Sequence, residues 1–396
     1  MNFVFISANY PEQSWMFCRG LKQNGATVLA VVDTPYDWMS QDLRDNIDEC
    51  YRVNDFNNYD EMVRALGYFT FKYGKIDWIE SNNEAWLQLD ARLRDDFNVK
   101  TGYSFAQIDE FQSKAAMKKY YHKAGIATAR YALPKTVEEA LDFAHEVGYP
   151  CVLKPDHGVG ASFTYSLHND EETIKYFNQS KGWQNIMEEF VVGDIFTLDG
   201  VADKDCKIRY LNSSEYVGNV MDSVNYQLSI GFHTTFTISD ELRDVAQRTV
   251  SAFGIANRFF HMEYFRLTED KEGLGKKGDV IGLEVNFRPP GGFAPEFMNF
   301  AGSLDVYKIW ADVLMKNETN YPQGDRASSG FLGRRNAINY KYSVDEIVEE
   351  FKNEIIRVEY LPPAFASAMG DCSIIFRFES PARRDAFYKM GMAEAE

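Results

Sequence analysis

Cysteine is sparse and unpatterned in this chain of 396 residues: Cys18, Cys50, Cys151, Cys206 and Cys372 stand far apart, with no CxxC pair. Such spacing fits neither a disulfide framework nor a zinc site, and a reducing, cytoplasmic setting is the simpler expectation. Basic clusters are missing as well. The formal net charge is -17 and no Lys/Arg block interrupts it, which argues against nucleic acid or an anionic membrane as a partner. An anionic ligand would need a few individually placed cations. The opening MNFVFISANYPEQSW lacks the basic start and long apolar run of a secretory signal, and no later segment reaches the length of a membrane helix, so a soluble protein is expected. Repeats and low-complexity segments are also lacking. The first strand-to-helix loop, ANYPEQ, has no glycine fingerprint for a dinucleotide pyrophosphate, which argues against an NAD-dependent oxidoreductase.

What is present is a chain that is 45% hydrophobic and rich in Phe and Tyr, long enough for two or three packed units. FVFIS (3–7) reads as a buried strand, residues 12–23 as a helix closed by Asn24 and Gly25, and TVLAVVD as the next strand. KIDWIES is a further strand candidate, followed by a helix through WLQLDARLRDD. Residues 1–105 thus read as a small parallel α/β domain whose strand ends border a site. Glu84 is a candidate there, although an acidic residue in a helix's first turn is an equally good reading. The remaining chain divides into a smaller unit over 106–200 and a larger one over 201–396, in which residues beyond 330 are globular and chemically quiet.

Three stretches carry chemistry. In YPCVLKPDHGVGAS, Lys154 ends an apolar strand and His157, Gly158, Val159, Gly160, Ala161 and Ser162 follow as a flexible run whose N–H groups can fold over phosphate oxygens. The run lacks the GK[ST] ending of a P-loop, so a plain hairpin turn competes with this reading. In NIMEEFVVGDIFTLDG, Glu188 and Glu189 interrupt an apolar strand, which is costly unless they are exposed or paired. One facing a cleft can accept from a base's exocyclic amine. In GLEVNFRPPGG, Glu284, Asn286 and Arg288 alternate along a strand with Leu283, Val285 and Phe287 on the other face. Glu284 and Asn286, with Glu263 on the neighbouring strand RFFHMEYF, make an oxygen donor set suited to Mg²⁺, and Arg288 can clamp a phosphate or carboxylate. A wet sheet edge is the bland alternative, disfavoured because Asn and Glu are depleted in strands.

The order QSKAAMKKYYHKAGI, YPCVLKPDHGVGAS, MEEFVVGDIFTLDG, FHMEYF, LEVNFRPPGG resembles that of the ATP-grasp superfamily of carboxylate-amine ligases. The resemblance implies an α/β and α+β architecture, an ATP-grasp fold preceded by a Rossmann-like (preATP-grasp) domain over 1–105, with the small subdomain and lid over 106–200. The large subdomain and a C-terminal extension take 201–396. It implies Lys114 and Lys154 as phosphate-binding lysines, His157 to Ser162 as the lid, Glu188 as the adenine contact and the Glu189 and Val191 backbone as the hinge. Glu263, Glu284 and Asn286 correspond to magnesium ligands and Arg288 to the arginine at the transferred phosphoryl group, making Arg288 and Lys154 the catalytic pair. One position departs: Ile195 stands where the family often has a ribose-binding glutamate, and Asp194 is the substitute at hand. His261, two before Glu263, is expected to support or pack rather than ligate.

The function implied is ATP-dependent amide or peptide bond formation through an acyl phosphate, on an amino acid or small carboxylate and an amine. ATP and Mg²⁺ are the cofactors, with Mn²⁺ as an alternative, and a homodimer is an open option. The alternatives are a ligase with carbamoyl-phosphate-synthase-like chemistry and a nucleotide-binding scaffold without turnover. The substrate pocket is expected between the amino-terminal domain, residues 215–236 and the Pro-Gly turn. Arg334 and Arg335 are candidates to bind a second carboxylate, with surface arginines the favoured expectation.

Overall fold

The computed structural model describes residues 1–158, 163–180, 184–218, 223, 227–322, 326–362, 366 and 369–395. The chain opens with β1 (Asn2–Ile6), β2 (Thr27–Val32), β3 (Glu49–Arg52) and β4 (Trp78–Glu80), all parallel in the order β3-β2-β1-β4. Helices cover both faces, which is why β1 and β2 are apolar along nearly their whole length. β3 has little signal in the sequence because ECYR is short, half-buried and at the sheet edge.

The amino-terminal sheet shares its core with the carboxy-terminal half of the chain. Phe3, Phe5 and Phe17 pack with Phe259, Tyr307 and Trp310, Phe17 lying 4.7 Å edge-on to Tyr307. The helix Trp15–Gln23 approaches the helix Val306–Lys316 so closely that a Cβ at Gly20 would sit 3.0 Å from both the Ala311 Cβ and the Tyr307 carbonyl oxygen. Any side chain at that crossing would press on the facing helix. A buried ion pair adds to the joint: Arg258 Nη2 donates to Glu80 Oε2 at 2.6 Å, and its Nη1 donates to the Phe287 carbonyl at 2.9 Å.

A small antiparallel sheet, order β6-β9-β7-β8, is built from β6 (Tyr131–Ala132), β7 (Cys151–Pro155), β8 (Tyr165–Leu167) and β9 (Asn185–Glu189). One face, with Cys151, Leu153 and Met187, packs on the helices Val137–Val147 and Asp170–Gln179. The other presents Val152, Lys154 and Glu188. The large sheet has nine strands: β5 (Ala127–Thr128), β10 (Gly193–Ala202), β11 (Ile208–Val217), β12 (Ile230–Thr234), β13 (Arg258–Leu267), β14 (Val280–Asn286), β15 (Ser328–Arg334), β16 (Ile355–Tyr360) and β17 (Cys372–Phe378). Their order is β16-β17-β15-β12-β11-β10-β13-β14-β5. Residues beyond 330 thus complete this sheet.

Arg334 and Arg335 are not surface arginines: both are buried, and their guanidinium groups donate to loop carbonyls, including Arg334 Nη2 to Tyr342 at 2.7 Å and Arg335 Nε to Leu228 at 3.1 Å. Irregular chain packed inside needs donors for its carbonyls, and a guanidinium supplies several. Among the described residues no helix is long and apolar enough to cross a membrane.

Candidate active site

Strand alternation sorts the large sheet into two chemical faces. Leu198, Phe260, Met262, Tyr264 and Val285 point one way, into a core closed by the helix Asp240–Phe253. On the other face the register lines up two polar rows: Glu284, Glu263, Thr197 and Ser214 in one, Asn286, His261, Asp199 and Asn212 in the next. Adjacent polar side chains on a pleated face sit within mutual reach.

The rows are wired together. Thr197 Oγ1 donates to Asp199 Oδ2 at 2.6 Å, His261 Nδ1 lies 2.6 Å from Asp199 Oδ1, and His261 Nε2 lies 3.1 Å from Glu263 Oε1. Burial lowers His261, but the two flanking carboxylates push it up to about 9. Burial would raise Glu263, yet the imidazole beside it holds it below the ordinary carboxylate range. His261 therefore supports Glu263, as its place on the strand suggested.

Glu284 lies directly across from Glu263 and differs from it. Burial, then the like charge of Glu263, hold Glu284 above its ordinary value. Asn286 is 6% exposed on the same face. Leu283, expected on the opposite face, is the extra residue of a bulge between the Glu263–Glu284 and Tyr264–Gly282 pairs, and it lines the same cavity. The helix Lys114–Lys123 packs behind this strand: the Tyr121 hydroxyl donates to the Glu284 carbonyl at 3.0 Å, and a Cβ at Gly282 would collide with the Tyr121 ring.

That helix begins with a lysine, which the helix dipole disfavours. Asp156, just past β7, compensates by accepting from Ala115 N at 2.8 Å and from the capping Ser113 hydroxyl at 2.7 Å. Lys114 Nζ donates to the Gly158 carbonyl at 2.7 Å, and burial lowers its ammonium. Of the candidate lid, His157 and Gly158 are exposed, with Gly158 at a φ of +123°. Gly160, Ala161 and Ser162 lie outside the described residues.

Glu188 has a cation on each oxygen: Lys118 Nζ is 2.5 Å from Oε1 and Lys154 Nζ is 2.5 Å from Oε2. Burial would raise this carboxyl, but the two ammonium groups bring it down to about 2. Burial lowers both lysines too. Lys154 still ends above its ordinary value, because Glu188, Glu284 and Glu263 surround it, while Lys118 ends below. Glu189 points the other way, into Arg130, with Nη2 2.8 Å from Oε2.

Arg288 leaves the end of β14 and reaches the amino-terminal domain, its Nε 3.0 Å from Glu84 Oε2 while Gln112 Nε2 holds Oε1 at 2.7 Å. Glu84 is thus an anchor for Arg288. A cavity of about 620 Å³ separates the small and large sheets, lined by Lys114, Lys154, Glu188, Val191, Asp194, Ile195, Tyr216, Glu263, Glu284, Asn286 and Arg288 among others. A wider groove of about 900 Å³ over residues 125–132 carries Glu139, Asp142 and Glu146, which disfavour an anion.

Sequence reasoning passed over Lys118, Asp156, Asp199 and Gln112. Lys118 had a signal: it is one helical turn after Lys114 and shares its face. Among the described residues no three His, Cys, Asp or Glu side chains gather to hold a metal alone. Two facing carboxylates and an amide nevertheless suit a hard cation that takes its remaining oxygens from phosphate and water.

The model for the carbamoyl-phosphate synthase L chain, ATP binding domain, matches residues 109–195. The L-arginine-specific L-amino acid ligase of Bacillus subtilis is 22% identical over 336 residues, covering 81% of this chain and 76% of that protein. The mitochondrial ammonia-type carbamoyl-phosphate synthase of Mus musculus is 24% identical over 196 residues, 47% of this chain and 12% of that protein. The chain therefore spans only a small fraction of that synthase. The crystal structure of an L-amino acid ligase from Bacillus licheniformis superposes with a TM-score of 0.68 at 16% identity, covering 98% of this chain and 96% of that one. The biotin carboxylase domain of a 2-oxoglutarate carboxylase from Hydrogenobacter thermophilus, complexed with MgADP, ADP and bicarbonate, gives 0.67 at 18% identity, covering 95% and 86%.

Proposed function

On the ATP-grasp fold that this chain has, we propose that it is an ATP-dependent carboxylate-amine ligase forming an amide or peptide bond between an amino acid or small carboxylate and an amine. The observation that carries the reading is the half-buried pair Glu263 and Glu284, face to face across adjacent strands and bordering one cavity with Lys114, Lys154 and Arg288. Like charges held together at that cost call for a cation, and the lysines opposite them call for phosphate.

In this reading the substrate carboxylate takes the terminal phosphoryl group of ATP, giving an acyl phosphate and ADP. The amine then displaces phosphate and releases a proton. Lys114 and Lys154 hold the phosphates, and Arg288, oriented by Glu84, stabilises charge on the group being transferred. Glu263, Glu284 and Asn286 would hold Mg²⁺, which supplies charge neutralisation between the phosphates. The Asp199–His261 pair keeps Glu263 ionised and oriented. Adenine rests against the backbone at Glu189 and Val191, with Asp194 near the ribose. No protein nucleophile is needed.

The substrates are small molecules, a homodimer is compatible with this reading, and the five thiols, none in a disulfide, suit a reducing compartment. The test is ADP and phosphate release with Mg-ATP against a matrix of amino acids and small carboxylates, with mass spectrometry of each mixture. A condensed product with stoichiometric ADP is expected. ADP formation that needs bicarbonate and ammonia but no amino acid would replace this with the carbamoyl-phosphate-type reading, and nucleotide binding without turnover across the matrix would replace it with a scaffold.

A further inference from the structure

Lys118 is a buried cation that the ligase mechanism does not use. Its side chain is 4% exposed, a costly place for an ammonium group, and an apolar residue on that helix face would pack without the cost. It does not border the cavity between the sheets, whereas Lys114 and Lys154 do. Lys118 lies behind Glu188, its ammonium 5.3 Å from the centre of the Tyr131 ring.

The two lysines divide Glu188 between them, one on each oxygen. Only Lys154 both holds Glu188 and faces the cavity. If Lys154 moves its ammonium onto phosphate, one oxygen of a buried carboxylate loses its partner while the other keeps Lys118. Without Lys118 the same movement would strand an unpaired buried charge. The other charged groups around Glu188 cannot take over. Lys114 donates to the Gly158 carbonyl in the empty site and is assigned to the phosphates in the filled one, Glu189 is held by Arg130, and Glu263 and Glu284 across the cavity share its sign.

Resting on the nucleotide-binding role proposed for this cavity, we infer that Lys118 is the permanent counter-ion of Glu188, a positioning residue that frees Lys154 to exchange its carboxylate for the nucleotide phosphates. The ligand side of the exchange is a nucleoside di- or triphosphate. Glu188 serves as a resting place for Lys154, keeping it aimed and charged while the site is empty.

The test is calorimetric titration of MgADP into wild type, Lys118→Met and Lys118→Arg, each in two buffers of different ionisation enthalpy to count protons. Wild type binds with almost no proton uptake. Lys118→Met binds more weakly by about tenfold or more and takes up about one proton per nucleotide, as the stranded Glu188 protonates. Lys118→Arg restores both, and adding Glu188→Gln to Lys118→Met abolishes the uptake. A purely structural lysine would alter melting temperature without moving the proton count. Wild-type affinity and no uptake in Lys118→Met overturn the inference and leave the nucleotide site standing. No MgADP binding by folded wild type overturns both. Should Lys118→Met not fold, Lys118→Gln, which can still donate to Glu188 without charge, carries the same expectation of proton uptake and the same overturning result.

Discussion

Glu188 on the small sheet and Glu284 on the large one line the same cavity, and their surroundings drive them in opposite directions. Glu188 touches two ammonium groups and is held at about 2; Glu284 faces Glu263 and is held above the ordinary range. Burial raises both, so the difference lies wholly in the neighbours. Glu188 is matched by Lys154 on its own sheet and by Lys118 on the helix behind it, whereas the large sheet sets two carboxylates in register on adjacent strands. Like charges held in register on adjacent strands forgo stability there, and such a pair marks where a ligand completes the charge balance.

The largest effect should come from breaking that pair. Glu284→Gln is expected to lower ADP formation on the order of 10³-fold, measured with the true substrates, while its melting temperature is no lower than that of wild type. Full activity in that variant would break the comparison at its functional end. On the small sheet the reverse holds. Glu188→Ala leaves Lys118 and Lys154 buried and unpaired and should destabilise by about 3–5 kcal/mol in urea unfolding.

The same contrast has a pH dependence with a definite sign. Between pH 4.5 and about 2 the unfolded chain protonates Glu188 while the native carboxyl stays ionised. Its contribution to stability is therefore complete above pH 4.5 and is lost as the pH falls through that window. Denaturation midpoints at stepwise lower pH should show this loss in wild type and a shallower one in Glu188→Ala.

Smaller effects sharpen the picture at the rim. Glu84→Gln keeps one acceptor but loses the charge that orients Arg288, and kcat should fall about tenfold with little change in melting temperature. An unaltered kcat would make the Glu84–Arg288 contact a domain tether only. Asp194→Asn, at an exposed position, should raise KM for ATP about threefold or less. A much larger rise would make Asp194 the ribose anchor that Ile195 does not provide.

Two central strands of the large sheet were legible because they alternate cleanly: HMEYF and LEVNF put Glu263, Glu284 and Asn286 on one face by period alone. Alternation failed at Leu283, where a bulge inserts a residue, because a bulge depends on the partner strand's register. Lys118 escaped notice because one lysine among lysines on a helix reads as solvated surface until its partner, some seventy residues on, is known to lie against it. Asp199, in an apolar strand, gained meaning only from being opposite His261. Glu84 and Arg288 are 204 residues apart, and nothing local to either predicts their contact.

By itself, then, the sequence determined the opening alternation of strands and helices, the polar face of β13 and β14 and the type of chemistry its side chains allow, because these depend on local periodicity and residue chemistry. Tertiary structure alone decided which carboxylates are compensated and which are not. That choice depends on charges brought within about 4 Å from remote segments, where Coulomb energy in a low-dielectric interior is large enough to set protonation and role.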